Sequence, residues 1–154
     1  MKKKIIIGCG TIFLIAIVAF ICFIMWFANM IDNSLSKKEI IELVNENYTI
    51  ILNDVNEKEF SDTERIEGIQ EIYNKTQVVD FYCGGTGIGS ATNYYGFYYS
   101  SDNNPKAIFA GTIISETPIF QMEKNGFCIK NSNDDNYYYT EKIRDNFYYY
   151  EAHF

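Results

Sequence analysis

Cys83, Ser90 and His153 are the side chains whose types could carry covalent chemistry. A hydroxyl or thiol becomes a nucleophile when a neighbouring base takes its proton, and His153 is the single histidine. Ser90 or Cys83 working with His153 would make an envelope hydrolase. His153 is the penultimate residue, however, where chains commonly fray. Asp80, Glu116, Glu123, Glu141, Asp145 and Glu151 supply carboxylates, but no spacing singles out an acid–base pair. Solvated charges account for them.

The run Gly84-Gly85-Thr86-Gly87-Ile88-Gly89 invites a nucleotide-binding reading. A dinucleotide fingerprint needs its glycines as G-x-G-x-x-G at the start of a helix, and a phosphate loop needs a following Gly-Lys-Ser/Thr. Neither pattern is met, so the glycines are expected to make a tight or bulged strand connection with positive φ. No cofactor is expected. Two cysteines of the outer part and His153 fall short of a four-ligand metal set. Asp102-Asn103-Asn104 and Asp134-Asp135-Asn136 read as turns and do not match a calcium loop. Cys83 and Cys128 could form a disulfide outside the cytoplasm, although sequence cannot show that they meet.

Aromatic residues are the compositional peculiarity, with 13 Tyr and 12 Phe in 154 residues. Tyr94, Tyr95, Tyr98 and Tyr99 crowd one strand, and Tyr148, Tyr149 and Tyr150 another. An exposed row of such rings could stack on a wall glycan or meet an envelope protein. The alternative is a sheet core whose hydroxyls stay wet.

These residues are positioned by two parts of the chain. The run 5–31 is apolar, carries no charge and follows Lys2, Lys3 and Lys4. A helix crosses a bilayer with about 20 apolar residues, and flanking lysines favour the cytoplasmic side. The expected plan is a cytoplasmic stub (1–4), a transmembrane helix (5–31) and an extracellular domain (32–154). A cleaved signal peptide fits less well, since the apolar run is too long and Trp26-Phe27-Ala28 makes a poor cleavage site. All 20 acidic residues lie in 32–154 against 10 of the 13 basic ones, a formal charge near −10. That charge repels nucleic acid, and no basic cluster opposes it.

In the outer domain, Ser36-Lys37-Lys38-Glu39 is a capping box, and Ile40, Ile41, Val44, Tyr48, Ile51, Leu52 and Val55 share a helical face over 37–56. Ser61-Asp62-Thr63-Glu64 opens a second expected helix at 62–75, with Ile66, Ile69 and Ile72 in period. Strands are expected at 78–83, 92–100, 106–114, 119–123, 127–130, 137–140 and 147–153. Asn125-Gly126 is a hairpin signal, and 141–146 has room for a helical turn. Helices first and strands after imply an α+β fold. Two helices should pack on an antiparallel sheet of about five to six strands.

Two stretches, Tyr82 to Ser100 (with its Tyr-Cys-Gly-Gly start and Tyr-Tyr-Gly-Phe-Tyr-Tyr-Ser end) and Thr140 to Glu151 (ending Phe-Tyr-Tyr-Tyr-Glu), resemble a group of small uncharacterised proteins of Gram-positive bacteria. That group carries an N-terminal membrane anchor or signal segment and one outer domain. The resemblance spans about residues 77 to 154. It implies an anchored, extracytoplasmic architecture and carries over no catalytic residue. The expected function is a binding or accessory domain of a single-pass membrane protein. An envelope hydrolase and a structural subunit of a membrane complex are the alternatives.

Overall fold

The computed structural model describes residues 14–26, 34–88, 91–109, 119–123, 126–130 and 135–154. The chain divides into two compact units, Met1–Asn33 and Ser34–Phe154. In the first, 14–26 is helical (α1), and Leu14, Ile15, Phe20 and Trp26 stand open. Among the described residues, no helix is long and apolar enough to cross a membrane. The rest of the apolar run, 5–13 and 27–31, lies outside them.

The second unit is an α+β fold. It opens on α2 (Lys37–Glu46) and α3 (Tyr48–Glu57). The capping box at Ser36 forms as expected, with the Glu39 carboxylate accepting from the Ser36 amide at 2.8 Å. The single helix expected over 37–56 is broken at Asn47. There φ is −105°, and the side-chain amide donates to the Leu43 carbonyl at 2.9 Å. Asparagine competes in this way with the backbone for helix carbonyls.

The helix expected at 62–75 does not form. Thr63–Arg65 makes one 3-10 turn, and Gly68 turns the chain at φ +99°. Glu71–Asn74 then becomes strand β1. The Asp54 carboxylate takes both the Thr63 amide and its hydroxyl at 2.8 Å, so the turn is tied to α3. Ile66, Ile69 and Ile72 still reach the core, Ile72 from a strand opposite Phe81.

Six more strands follow: β2 (Val78–Ile88), β3 (Ala91–Ser100), β4 (Ile119–Glu123), β5 (Gly126–Lys130), β6 (Tyr137–Arg144) and β7 (Phe147–His153). All neighbours are antiparallel, in the order β1-β2-β3-β7-β6-β5-β4. The sheet therefore has seven strands, and the one beyond expectation is β1. Contrary to expectation, the glycine run does not end β2. The strand passes through it on a bulge between Tyr82 and Gly84, with Gly84 and Gly87 at positive φ. The strand expected at 106–114 is instead a 3-10 turn over Ala107–Phe109, and 110–114 lies outside the described residues. Strand β6 runs on to Arg144, so Asp145-Asn146 is a tight turn with Asp145 at φ +37°, not a helical one.

Side chains alternate across the sheet. One face carries Val79, Phe81, Cys83, Phe97, Phe147 and Tyr149 against Ile40, Val44 and Ile51 of the helices. Phe81 and Phe97 stack at 4.5 Å there. The other face carries Val78, Tyr98, Tyr148 and Tyr150 against Ala107. Two hydroxyls hold the segment after β3 over that face. Tyr98 donates to the Pro105 carbonyl at 2.7 Å, and Tyr148 to the Asn103 carbonyl at 2.8 Å.

Candidate binding cavity

Asp80 sits on β2 opposite Tyr98 of β3 and Tyr73 of β1, on the face away from the helices. Two strands along the sheet, Tyr150 of β7 is paired with Gly96 of β3, which is itself paired with Tyr82 of β2. A Cβ at Gly96 would run into the Phe81 carbonyl and lie 2.8 Å from the Tyr150 ring. The missing side chain therefore lets Tyr150 lean across β3, and its hydroxyl favours the ionised form of the Asp80 carboxyl.

Around this pair is a cavity of about 480 Å³ lined by Glu71, Tyr73, Lys75, Asp80, Tyr82, Tyr94, Ile108, Tyr138, Tyr150, Ala152 and Phe154. That is the size range of small-molecule sites. Its aromatic wall is continuous. Tyr82 contacts Tyr94 at 6.1 Å, Tyr94 meets Phe154 edge-on at 5.8 Å, and Phe154 meets Tyr138 edge-on at 5.2 Å. Glu71, Tyr73 and Lys75 are exposed and form the β1 side of the rim.

Electrostatically the cavity centres on Asp80. Burial pushes its carboxyl up from 3.8 to about 6, opposed by the Tyr150 hydroxyl and the Lys75 ammonium. Its Oδ1 atom is closed to water and has no hydrogen-bond partner among the described residues. Burial, then the Asp80 charge, drives the Tyr150 hydroxyl well above its ordinary value. Tyr138 is pushed up to about 12, by burial first and then by Asp80. Neither phenol ionises at physiological pH, so both remain hydrogen-bond donors.

The tyrosines expected to form a partner surface are placed differently. Tyr94 is exposed at 38%, whereas Tyr98, Tyr148, Tyr149 and Tyr150 are buried at 0 to 5%. Tyr95 and Tyr99 are partly buried against the helix-side core. No exposed row results, because helices cover one face and the 101–109 segment covers the other. Two of the seven, Tyr94 and Tyr150, line the cavity instead.

Of the nucleophile candidates, Cys83 and His153 are described and have different partners. The Cys83 thiol points at the Phe81 carbonyl at 3.7 Å in the helix-side core, and burial pushes it up to about 12. His153 is not frayed, since Phe154 beyond it exchanges two 3.1 Å backbone bonds with Thr92. Its Nδ1 lies 2.6 Å from the Asn93 Oδ1, its ring stacks on Tyr137 at 5.5 Å, and its Nε2 is 3.6 Å from Asp135. Ser90 lies outside the described residues. Cys83 and Cys128 are both buried and form no disulfide. Strands β3, β7 and β6 separate their strands, beyond the reach of an S–S bond. Among the described residues, no group of three or more His, Cys, Asp or Glu could hold a metal ion.

Sequence reasoning took Asp80 for one of several solvated charges, which its burial corrects, and passed over Tyr82, Tyr138 and Phe154. One signal was present. Asp80 is the sole charge in the β-branched and aromatic run Val78 to Cys83, inside a strand with both faces covered.

Fold and cavity together define a class: an α+β domain whose antiparallel sheet holds a buried carboxyl inside an aromatic pocket. Beyond that class, no protein-family model, curated protein or solved structure matches the chain.

Proposed function

We propose that this chain is a single-pass membrane protein whose outer domain binds a small ligand in the Asp80 cavity, as a binding or accessory domain of the cell envelope. The observation that carries the reading is the Asp80 carboxyl. A buried carboxylate oxygen without a hydrogen-bond partner costs folding free energy. Such a group is placed at a ligand site more readily than in a scaffold, because a ligand held in the cavity beside it can offset the cost of its charge. The aromatic wall adds contact area and orientation. The anchored half of the reading is supported by the uncharged run 5–31 behind Lys2 to Lys4 and by the open apolar side chains of α1. The hydrolase alternative has weaker support: the Cys83 thiol is buried and held protonated, and the side chains that hold His153 are Asn93, Tyr137 and Asp135.

The test is a fragment screen by ligand-observed NMR on the full chain in nanodiscs, beside Ile108→Trp. Ile108 is half-buried at the cavity wall, so an indole there fills the space. Fragments should bind the wild type and lose binding in the variant. Equal binding to both proteins, or none to either, refutes the cavity as the site. Protease added to intact cells should remove 34–154; protection of that region refutes the outward orientation.

A further inference from the structure

Resting on the cavity reading, we infer that the ligand is an organic ammonium ion. Three observations converge. The first is charge. Asp80, Glu71 and Lys75 are the ionisable acid and base side chains lining the cavity, and together they leave it one negative charge. One bound cation neutralises it. Residues 32–154 carry a formal charge near −10, which also draws cations toward the domain.

The second is the state of the Asp80 oxygen. Oδ1 is closed to water, so a neutral hydroxyl, such as a sugar would offer, cannot donate to it without rearranging the site. A cation needs no such contact. Coulomb attraction acts across the intervening atoms, and is stronger in a low-dielectric surrounding than in water.

The third is the wall. Tyr82, Tyr94, Tyr138 and Phe154 are linked by ring contacts of 5.2 to 6.1 Å and bring several π systems to one space. Faces of such rings attract alkylammonium groups, and aromatic cages around them are a recurrent solution. A metal ion is a poor fit, since it demands several oxygen ligands at short range, and among the described residues no group of three or more His, Cys, Asp or Glu could hold one. Lys75 opposes a cation, but it is an exposed rim residue and screened by solvent.

The experiment uses the full chain in nanodiscs at neutral pH, read by the tyrosine ring resonances. The probes are tetramethylammonium, choline, neopentyl alcohol (nearly the same shape without charge) and N-acetylglucosamine. The ammonium ions should bind at least about tenfold more tightly than neopentyl alcohol, and Asp80→Asn should erase that preference, as expected for removing one close charge. Tyr138→Leu keeps the apolar bulk but removes a ring, and should weaken the ammonium ions more than the alcohol. If neopentyl alcohol or the sugar binds as well as the ammonium ions, and Ile108→Trp abolishes it, the cavity is a ligand site and the ammonium inference is wrong. If none of the probes binds but the fragment screen does find cavity ligands, the inference falls alone. If neither experiment finds a ligand, both readings fall. Competition by phosphatidylcholine vesicles but not phosphatidylglycerol vesicles would support a lipid headgroup as the source of the ammonium. Its absence, with choline bound, would support a free ion.

Discussion

Asp80→Asn should make the empty protein more stable at neutral pH while removing its preference for a cation. The magnitude follows from the carboxyl's environment. Its ordinary value of 3.8 rises to about 6 in the folded protein. At about 1.36 kcal/mol per pH unit this corresponds to about 3 kcal/mol. The folded value lies above the unfolded one, so folding favours the protonated acid. Stability is fully present below 3.8 and is lost as pH rises through about 6. Asparagine has no such charge to bury and keeps the shape. Wild type and Asp80→Asn should therefore diverge as pH rises from 4, with the variant about 2 to 3 kcal/mol ahead by pH 7.5, a range bounded by the linkage relation. Urea unfolding of the full chain in detergent, followed by tyrosine fluorescence at several pH values, measures the two curves. Curves that stay parallel between pH 4 and 7.5 would refute the argument, because they would mean that Asp80 is compensated in the folded state. A wild type that becomes relatively more stable with rising pH would reverse its sign.

Three further outcomes follow from particular contacts. Gly96→Ala puts a methyl against the Phe81 carbonyl and 2.8 Å from Tyr150; it should cost about 1 to 3 kcal/mol, the range of overpacking, in the same urea assay, and shift the Tyr150 ring resonance. Asp54→Ala leaves the buried Thr63 without its acceptor, and a loss of about 1 to 3 kcal/mol is expected; a change within about 0.5 kcal/mol, the size of neutral surface substitutions, would show that the tie between α3 and the 3-10 turn is dispensable. In a chain with Cys9 and Cys22 changed to Ser, Cys83 and Cys128 should resist maleimide until urea is added and should show no mobility difference on non-reducing gels; rapid labelling of the native protein would contradict their burial.

Much of the fold is legible in local patterns. Ser36 and Glu39 announce the start of α2, and Ile40 and Val44 of the expected apolar face are buried, together with Leu43, which that face did not include. The aromatic and β-branched alternation finds β2, β3 and β7, since period-2 spacing is a property of the strand itself. Ile66, Ile69 and Ile72 mislead because spacing by three serves a helix but is also met by a chain that turns at Gly68 and then pairs with β2. That choice was made by partners outside the segment itself: Asp54 holding Thr63, and Phe81 receiving Ile72, each nine residues away. The glycines of β2 read as a break because their neighbours on β3 are not visible from the chain alone, although Gly85 needs close approach to the Asn93 carbonyl, where a Cβ would stand 2.5 Å away.

The apolar run behind three lysines, the acidic stretch 32–154 and a set of aromatic strands can all be read along the chain. The chain also carries which residues share a strand face, because alternation is local geometry. What each face meets depends on the folded packing. Tyr98, Tyr148 and Tyr150 are buried because the segment after β3 folds back over them, and Asp80 becomes a perturbed acid because burial raises its carboxyl more than the Tyr150 hydroxyl, two strands away across Gly96, lowers it. Burial is set by what packs above a residue, and those partners come from distant parts of the chain.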